Sequence, residues 1–283
     1  MEDTLPPLRE LLQRHGFRFS KSMGQNFLVN PGVCPRMASA CGATKAHGVL
    51  EIGPGAGALT RELAKVAGRV AAVELDTRLL PVLAESLADF DNVEVIHGDI
   101  LKLDLRALLA ERFPGMPVAV CANLPYYITT PVLMRLLEER LPIESVTVMV
   151  QQEAAARLCA PMGSRECGAV TAAVAWFAQA EQLFKVSRGS FLPVPNVDSA
   201  VIRLRLRREP PMRVADEAFL FKVIRVAFCQ RRKTLANALS AGLRMGKANV
   251  LAALENAGIA PNARAEELTM EEFAGVTEAL ILL

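Results

Sequence analysis

Short apolar runs alternate with segments of helical periodicity along the first two thirds of the chain. The apolar runs predict five strands, at residues 48–53, 69–75, 93–99, 117–125 and 145–151. Apolar residues at helical spacing predict helices at residues 5–15, 31–41, 58–67, 76–88 and 130–139. Strands that alternate with helices are typical of a parallel sheet with helices on both faces. We therefore expect an α/β fold, with two further strands, in residues 181–195 and 199–207, at an edge of the sheet.

The pattern changes near residues 207–214, where two prolines and clustered charges indicate a linker. Residues 216–283 carry helical periodicity with little strand signal, and they predict four helices. The sequence thus predicts two domains: residues 1–208, built around the sheet, and residues 209–283, a small all-helical domain.

Composition excludes several classes of protein. The 283 residues are 52% hydrophobic, enough to bury a core, and the six cysteines form no C-x-x-C pair. With only three histidines, neither a zinc cluster nor a disulfide framework is expected, so we predict no metal site. The charged, amphipathic start is unlike a secretory signal, and no apolar run of about 18 residues occurs. We therefore expect a cytoplasmic protein without a membrane span.

A glycine-rich loop follows the first predicted strand. Its pattern, G-P-G-A-G at residues 53–57, differs from the G-x-G-x-x-G of dinucleotide-binding enzymes because Ala58 holds the sixth position. Gly53 and Gly55 would let the backbone approach a ligand beside the N-terminus of the next helix. So short a loop suits a cofactor without a pyrophosphate, such as S-adenosylmethionine. Taken alone, it is also a common strand-to-helix turn.

Polar side chains close the next three strands. Glu74 follows Gly53 by 21 residues, which places an acid where it accepts ribose hydroxyls. Asp99 is placed to accept from an adenine amine or to cap the following turn, and Asn123 closes the fourth strand. The carboxyl ends of parallel strands meet in one crevice of an open α/β sheet. We therefore expect these positions to form a single ligand site.

The segment from Asn123 to Tyr126 suits a planar amine. The Asn123 side-chain carbonyl and the carbonyl that precedes Pro125 are both acceptors, and Tyr126 offers a flat apolar face. Two acceptors on the hydrogens of an exocyclic adenine amine would free its delocalised lone pair, which stabilises charge as it develops in the transition state. The alternative is a strand-ending turn in which Pro125 sets the backbone and Tyr126 packs.

With these residues in place, the chain resembles the KsgA/Dim1 family of ribosomal RNA adenine dimethyltransferases, in particular its bacterial members. The resemblance extends through residues 21–30, 50–63, 70–76, 95–101, 122–133, 191–204, 227–239 and 254–269. It implies a Rossmann-like methyltransferase sheet that uses S-adenosyl-L-methionine. It also implies dimethylation of two adjacent adenosines near the 3′ end of small-subunit (16S) ribosomal RNA, linked to small-subunit biogenesis, with the immature 30S subunit as partner.

The resemblance assigns roles to single residues. Cofactor binding is implied for Asn26, Leu28, Gly53, Gly55, Glu74, Asp99 and Asn123. The target base would lie against Asn123 and Pro125, stacked between Tyr126 and Phe191. The alternative for Phe191 is a core position on an edge strand, but the prolines at residues 191–195 favour a loop.

Basic residues concentrate in residues 213–247, which carry a net charge of +6 against +2 for the whole chain. Such an excess is typical of a phosphate-contacting surface, and a solvated helix face is the ordinary alternative. We expect RNA contacts from Arg225, Arg231, Arg232 and Lys233, and a monomer whose large partner is RNA.

Three other functions stay open. The protein could act chiefly as a ribosome-assembly checkpoint factor whose binding matters more than methylation. A DNA adenine methyltransferase would use the same pocket and direct the basic helices to duplex DNA. A nicotinamide-dependent dehydrogenase is disfavoured by the glycine pattern and by the lack of an acid/base pair suited to hydride transfer.

Overall fold

A computed structural model describes residues 8–17 and 25–283 of the chain. Residues 5–7 of the predicted first helix and residues 18–24 of the loop that follows it lie outside the described residues. By packing, the chain divides into two compact units: the described residues up to Ala155 with Glu181–Leu206, and Ala156–Ala180 with Arg207–Leu283. The sequence analysis assigned residues 156–180 to the first domain, whereas they pack with the C-terminal residues. A functional boundary at residue 208 stays a prediction.

The elements follow the predicted alternation of strands and helices. In chain order they begin with α1 (Leu8–Arg14), β1 (Phe27–Leu28), α2 (Val33–Ala40), β2 (Gly48–Ile52), α3 (Ala58–Val66), β3 (Arg69–Glu74), α4 (Leu80–Ser86), β4 (Val93–His97), α5 (Leu105–Arg112), β5 (Val118–Asn123), α6 (Tyr126–Glu138) and β6 (Ser145–Gln151). They continue with α7 (Gln152–Leu158), α8 (Ala169–Phe177), β7 (Ala178–Val186), β8 (Phe191–Leu192) and β9 (Ser199–Leu206). The five strands predicted from apolar runs are confirmed to within two residues at each end.

Seven strands form one mixed sheet in the order β4-β3-β2-β5-β6-β9-β7. The strands from β4 to β6 are parallel, and β9 is antiparallel to β6. After β4 the chain returns to the other side of β2, so β2 and β5 are neighbours, with Ile52 opposite Ala122. Open α/β sheets bind ligands at the carboxyl ends of the strands where the strand order reverses. The expected parallel sheet is confirmed, and its switch point lies between β2 and β5.

The turn from β2 into α3 depends on a glycine. Gly57 precedes α3 with φ of 88°, and a Cβ there would lie 2.7 Å from Ser86 Oγ. Only glycine combines this left-handed backbone with so close an approach. Leu59 and Leu63 of α3 are buried and hold the helix against the sheet, which places the start of α3 beside the end of β2.

One helix starts earlier than predicted. The apolar pattern predicted a helix over residues 130–139, but α6 begins at Tyr126 and contains Pro131. The Pro125 carbonyl holds the first turn, since it accepts from Ile128 N at 3.1 Å and from Thr129 Oγ1 at 3.3 Å. The helical φ of proline lets α6 continue through residue 131 at the cost of one backbone hydrogen bond.

The second unit contains α9 (Glu217–Cys229), α10 (Leu235–Leu243), α11 (Lys247–Asn256) and α12 (Met270–Ile281). These confirm the four helices predicted for residues 216–283. Asp216 caps α9 by accepting from Phe219 N at 2.9 Å, as the polar residue before an apolar helical run predicts. Among the helices of the described residues, none is both long and apolar enough to cross a bilayer.

Candidate active site

A cavity of about 310 Å³ lies at the carboxyl ends of the parallel strands in the first unit. Its wall includes Asn26, Leu28, Gly53, Gly55, Glu74, Asp99, Asn123, Pro125, Tyr126 and Phe191. These are all the residues that the sequence analysis selected for the cofactor and the target base. Gly53, Glu74, Asp99 and Asn123 converge because β2, β3, β4 and β5 are adjacent and parallel. The ribbon of β1 and β8 contributes Leu28 and Phe191. Their separate roles stay predictions.

The glycine loop and Glu74 form one hydrogen-bonded unit. Gly53 and Gly55 have φ of 69° and 62°, a left-handed backbone that favours glycine. Gly55 N donates to Glu74 Oε2 at 3.2 Å, and Asp76 N donates to Glu74 Oε1 at 2.8 Å. Burial raises the pKa of Glu74, while these two donors act in the opposite direction. Each carboxylate oxygen keeps a further lone pair, so Glu74 can still accept hydroxyl groups.

Asp99 lies two residues beyond the end of β4 and takes part in the turn that follows. Its Oδ1 accepts from Leu101 N at 3.0 Å, and Lys102 Nζ lies 3.5 Å from its Oδ2. The capping role is therefore present, and further acceptor positions remain for a ligand. Leu75 and Leu101, shortly after the two acids, are exposed side chains of the cavity wall and suit the faces of a flat ring.

Asn123 is the last residue of β5, and its side-chain amide is oriented by a hydrogen bond to the segment before β1. Its Nδ2 donates to the Asn26 carbonyl at 3.5 Å, so its Oδ1 remains an acceptor. Leu124 follows with a carbonyl that accepts no hydrogen bond from residues 8–17 or 25–283. The two acceptors predicted for an amine are thus next to each other in the cavity wall.

Tyr126 is held by its hydroxyl group, which lies 2.8 Å from Ser199 Oγ at the start of β9. Partial burial of the ring raises the pKa of the phenol, so it stays neutral. The neighbouring Tyr127 also lines the cavity and is 60% exposed. The sequence offered no signal for Ser199, because its contact with Tyr126 joins residues 73 apart in the chain.

Phe191 lies on a strand, and the prediction of a loop for this segment is wrong. Phe191 pairs with Leu28, and Leu192 with Phe27, in a two-stranded ribbon of β1 and β8. The pairing ends at Pro193, the first residue here without an N–H donor. At 2% exposed, Phe191 packs in the core cluster that contains Leu28 and also forms part of the cavity wall.

Glu51 is a wall residue that sequence reasoning missed. It lies inside β2, is 1% exposed, and its Oε2 has no hydrogen-bond partner within the described residues. Burial raises the pKa of Glu51 to about 8; the Thr60 hydroxyl acts against this shift and the Glu74 charge adds to it. An acid in the apolar run of residues 48–53 was the available signal, since a buried strand rarely carries a charge.

A polar contact ties the segment before β1 to the wall of the cavity. Gln25 Nε2 donates to Asp76 Oδ2 at 3.0 Å. Arg78 donates to both oxygens of Asp76, at 2.8 and 2.6 Å, and lowers its pKa. Gln25 precedes Asn26, so this contact helps to place Asn26 over the cavity. Local sequence could not reveal it, because the partners are 51 residues apart.

The predicted RNA-contacting cations lie in the second unit and differ in their surroundings. Arg225, Arg232 and Lys233 are exposed and form no ion pair with any described residue. Arg231 donates through Nη2 to the Arg165 carbonyl at 2.9 Å, and its Nε lies 4.0 Å from Glu266 Oε2. RNA contact by these four residues stays a prediction. Among residues 8–17 and 25–283, no cluster of His, Cys, Asp and Glu is arranged to hold a metal ion.

The sequence matches known proteins over most of its length. The profile of the family described as "Ribosomal RNA adenine dimethylase" matches residues 16–281. A protein of Bacillus licheniformis named ribosomal RNA small subunit methyltransferase A is 47% identical, over 99% of this chain and 98% of its own length.

Solved structures agree in fold. A dimethyladenosine transferase from Plasmodium falciparum is similar with a TM-score of 0.74 and 26% identity, over 88% of this chain and 95% of that one. The 23S rRNA methyltransferase ErmE is similar with a TM-score of 0.67 and 31% identity, over 90% of this chain and 99% of that one. The expected Rossmann-like methyltransferase sheet is confirmed. From the sequence match across residues 16–281 and from these relatives, the chain belongs to the ribosomal RNA adenine dimethylase family.

Proposed function

We propose that the protein dimethylates the exocyclic amines of two adjacent adenosines near the 3′ end of small-subunit ribosomal RNA, with S-adenosylmethionine as methyl donor, during small-subunit biogenesis. One observation carries the proposal: in a chain of this family, a single cavity collects the glycine loop, two acids and the segment from Asn123 to Tyr126. The position of the adenosines comes from the resemblance in sequence.

The wall of the cavity fits S-adenosylmethionine. Glu74 has lone pairs left for two ribose hydroxyls, and Leu75 and Leu101 suit the faces of an adenine whose amine donates to Asp99. Gly53 has a left-handed backbone, and no heavy atom lies within 4 Å of a Cβ built there. The space beside it would let the methionine portion of the cofactor approach closely. When bound, the cofactor supplies a methyl group on its sulfonium.

The residues of β5 and its turn would prepare the target amine. Asn123 Oδ1 and the Leu124 carbonyl would accept its two hydrogens and so direct the nitrogen lone pair out of the ring. In-line transfer requires alignment and this lone pair, not a covalent nucleophile. The methylated amine then loses its proton to water. The lack of a nucleophile–base pair among the predicted site residues is consistent with this chemistry.

The target base must leave its stack to reach the cavity, and aromatic side chains would offset part of that cost. Tyr126 would stack on the base with its ring held by Ser199. Phe191 would close the opposite side as an apolar wall, while most of its surface packs in the core. Tyr126 is the first residue of α6, and Phe191 is the first residue of β8.

The relatives support a small-subunit substrate. The relative that is 47% identical carries a small-subunit name, whereas the 23S rRNA methyltransferase is 31% identical. The exposed cations Arg225, Arg232 and Lys233 would contact phosphates. We further propose that the protein acts in the cytoplasm as a monomer, since RNA is its large partner.

Methyl transfer to purified small subunits that lack these methyl groups tests the proposal. Labelled S-adenosylmethionine would be supplied with immature small subunits, naked RNA, large subunits or duplex DNA, and nucleosides would be analysed after digestion. We expect dimethyladenosine in small-subunit RNA alone, and far less of it with Asn123→Ala in the same reaction time.

Each other outcome points to a different function. Label in DNA or in large subunits would overturn the proposed substrate. Tight binding to immature subunits and cofactor without any label would favour the assembly checkpoint factor. Failure to bind S-adenosylmethionine would overturn the proposal as a whole.

A further inference from the structure

Tyr127 is an aromatic residue of the cavity wall to which the proposed reaction gives no role. Its side chain is 60% exposed, whereas the other aromatic residues of the described chain are all buried or half-buried. Since Tyr127 both lines the cavity and is open to solvent, its ring lies at the mouth of the cavity. A large apolar ring left in water at the entrance of a binding site indicates a contact that forms with the ligand.

The side chain of Tyr127 has no part in holding the fold within the described residues. Its hydroxyl group forms no hydrogen bond there, whereas the Tyr126 hydroxyl lies 2.8 Å from Ser199 Oγ. Its ring has no stacked, edge or cation–π contact with another described side chain. Tyr126 is therefore anchored in the wall, and the ring of Tyr127 is available to a ligand.

The two tyrosines are positioned to contact two different bases. Both lie in the first turn of α6, where consecutive residues point about 100° apart around the helix axis. Tyr126 is directed toward the start of β9 and Tyr127 toward solvent, so their rings cannot cover the same face of one base. A nucleotide that leaves its stack to enter a cavity stays joined to its neighbours through the RNA backbone. A neighbouring base is thus held near the mouth, where the ring of Tyr127 lies.

The chemistry of the mouth suits a nucleobase and not a phosphate. The described residues of the wall include no Lys, Arg or His that would pair with a phosphate charge. An aromatic ring stacks on any base, because every base has a flat π face. The contact therefore depends on the presence of a base and only slightly on its identity.

We propose that Tyr127 forms a second base-binding site, which stacks the nucleobase adjacent in the RNA chain to the adenosine in the cavity. This inference rests on the proposed function, because it needs an RNA strand with one adenosine turned into the cavity. The stack offsets part of the cost of extracting the target base. The strand enters the cavity in one direction, so the stacked base lies on the same side, 5′ or 3′, of each adenosine that is methylated. The site thus recognises a dinucleotide and not a single adenosine.

Removal of the ring tests the stack from the side of the protein. Transfer of labelled methyl groups to each adenosine is measured with immature small subunits, and cofactor affinity is measured by calorimetry. Tyr127→Ala should lower kcat/KM by about tenfold, and Tyr127→Phe, which keeps the ring, should stay close to wild type. The Kd for S-adenosylmethionine should be the same in all three proteins. Ile281→Ala, which shortens an exposed apolar side chain of α12 outside the cavity wall, is the matched control.

Removal of the base tests the stack from the side of the RNA. Small subunits are reconstituted with RNA in which either the first or the second adenosine is replaced by an abasic nucleotide. For one of these two substrates, wild type should methylate the remaining adenosine about tenfold more slowly, and Tyr127→Ala should cause no further loss. For the other substrate, wild type should keep its rate and Tyr127→Ala should lower it as in intact subunits. The affected substrate shows which neighbour is stacked.

The outcomes separate this inference from the proposed function. Equal kcat/KM of wild type and Tyr127→Ala on intact subunits would overturn the role of Tyr127 and leave the proposed function standing. A full loss on both abasic substrates would also overturn it, because the ring would then act on something other than a neighbouring base. A Phe variant as slow as the Ala variant would assign the effect to the hydroxyl group and contradict the stack.

Two results decide without the variants. If neither abasic substrate lowers the rate of wild type, no neighbouring base is stacked and the inference is wrong, whether or not Tyr127→Ala folds. If wild type binds S-adenosylmethionine but transfers no methyl group to small subunits, both the inference and the proposed function are overturned.

Discussion

The cavity of the first unit and the basic surface of the second unit, defined by Arg225, Arg232 and Lys233, are built in opposite ways. The cavity gathers side chains from four strand ends, and many of them are held by backbone or side-chain hydrogen bonds, as Glu74 is by Gly55 N and Asp76 N. The basic surface consists of exposed cations close together in the chain, without ion pairs among the described residues.

The function of the cavity therefore depends on the position of each side chain, and that of the basic surface depends on its total charge. Catalytic stabilisation requires acceptors at defined positions, so one misplaced side chain in the cavity has a large effect. Attraction of phosphates is a sum over charges and falls with salt, so each surface cation contributes modestly. Changes in the cavity should therefore alter turnover, and changes in the surface should alter RNA affinity.

The largest effect is expected for Asn123→Ala, which removes one proposed acceptor for the amine. The rate of methyl transfer should fall by roughly 10²–10³-fold, the usual loss for one preorganised polar group. Single-turnover transfer of labelled methyl groups measures the rate, and filter binding measures RNA affinity, which should not change. Asn237→Ala, at an exposed position of α10, is the matched control. An equal loss of RNA affinity in Asn123→Ala would contradict the expectation that changes in the cavity alter turnover and not RNA affinity.

Tyr126→Ala should lower transfer by about tenfold, since a base–aromatic stack contributes about 1–3 kcal/mol. Tyr126→Phe keeps the ring and removes the hydroxyl contact with Ser199. If stacking is the role of Tyr126, the Phe variant retains most of the activity, and both variants bind S-adenosylmethionine normally. A Phe variant as slow as the Ala variant would show that the Ser199 contact matters more than the ring face.

The double variant Arg232→Ala/Lys233→Ala should weaken RNA binding by several fold and lower the slope of log K against log salt by about one to two units. Cofactor affinity, measured by calorimetry, should stay at the wild-type value. Arg231→Ala is an instructive control, because its guanidinium already donates to the Arg165 carbonyl. If Arg231→Ala lowers the salt slope as much as the double variant does, the absence of an ion pair does not identify the RNA contacts.

The last prediction concerns the stability of the protein without cofactor, and it changes neither turnover nor RNA affinity. The folded pKa of Glu51, about 8, lies above its unfolded value of 4.5, so the unfolded state loses the proton first. The free energy of unfolding therefore falls as pH rises from about 4.5 to about 8 and is level above that range. The Tm, measured by thermal denaturation, should therefore fall less with rising pH in Glu51→Gln than in wild type. In Glu62→Gln, a change in α3 outside the cavity wall, the Tm should fall as much as in wild type. If the Tm of Glu51→Gln depends on pH as that of wild type does, the raised pKa does not belong to Glu51.

Much of the cavity was predictable because its parts carry local signals. A glycine loop after an apolar run and a polar residue after each following run both identify strand ends. Adjacent parallel strands then bring these ends together. The loop predicted for Phe191 was wrong because prolines two and four residues later suggested irregular backbone, whereas pairing with β1 needs only the residues before Pro193.

By itself, the sequence determined the alternation of strands and helices, the four C-terminal helices, the resemblance to the family and those polar and aromatic positions of the cavity wall that follow a strand or stand in a motif. These depend on local periodicity, on residue types at strand ends and on long motifs. Only the tertiary structure decided that Glu51 Oε2 is buried without a hydrogen-bond partner among the described residues, that Ser199 holds Tyr126 and that Gln25 contacts Asp76. It also decided that residues 156–180 pack with the C-terminal helices. The physical reason is that burial and pairing arise between residues far apart in the chain, where the local pattern carries no information about the partner.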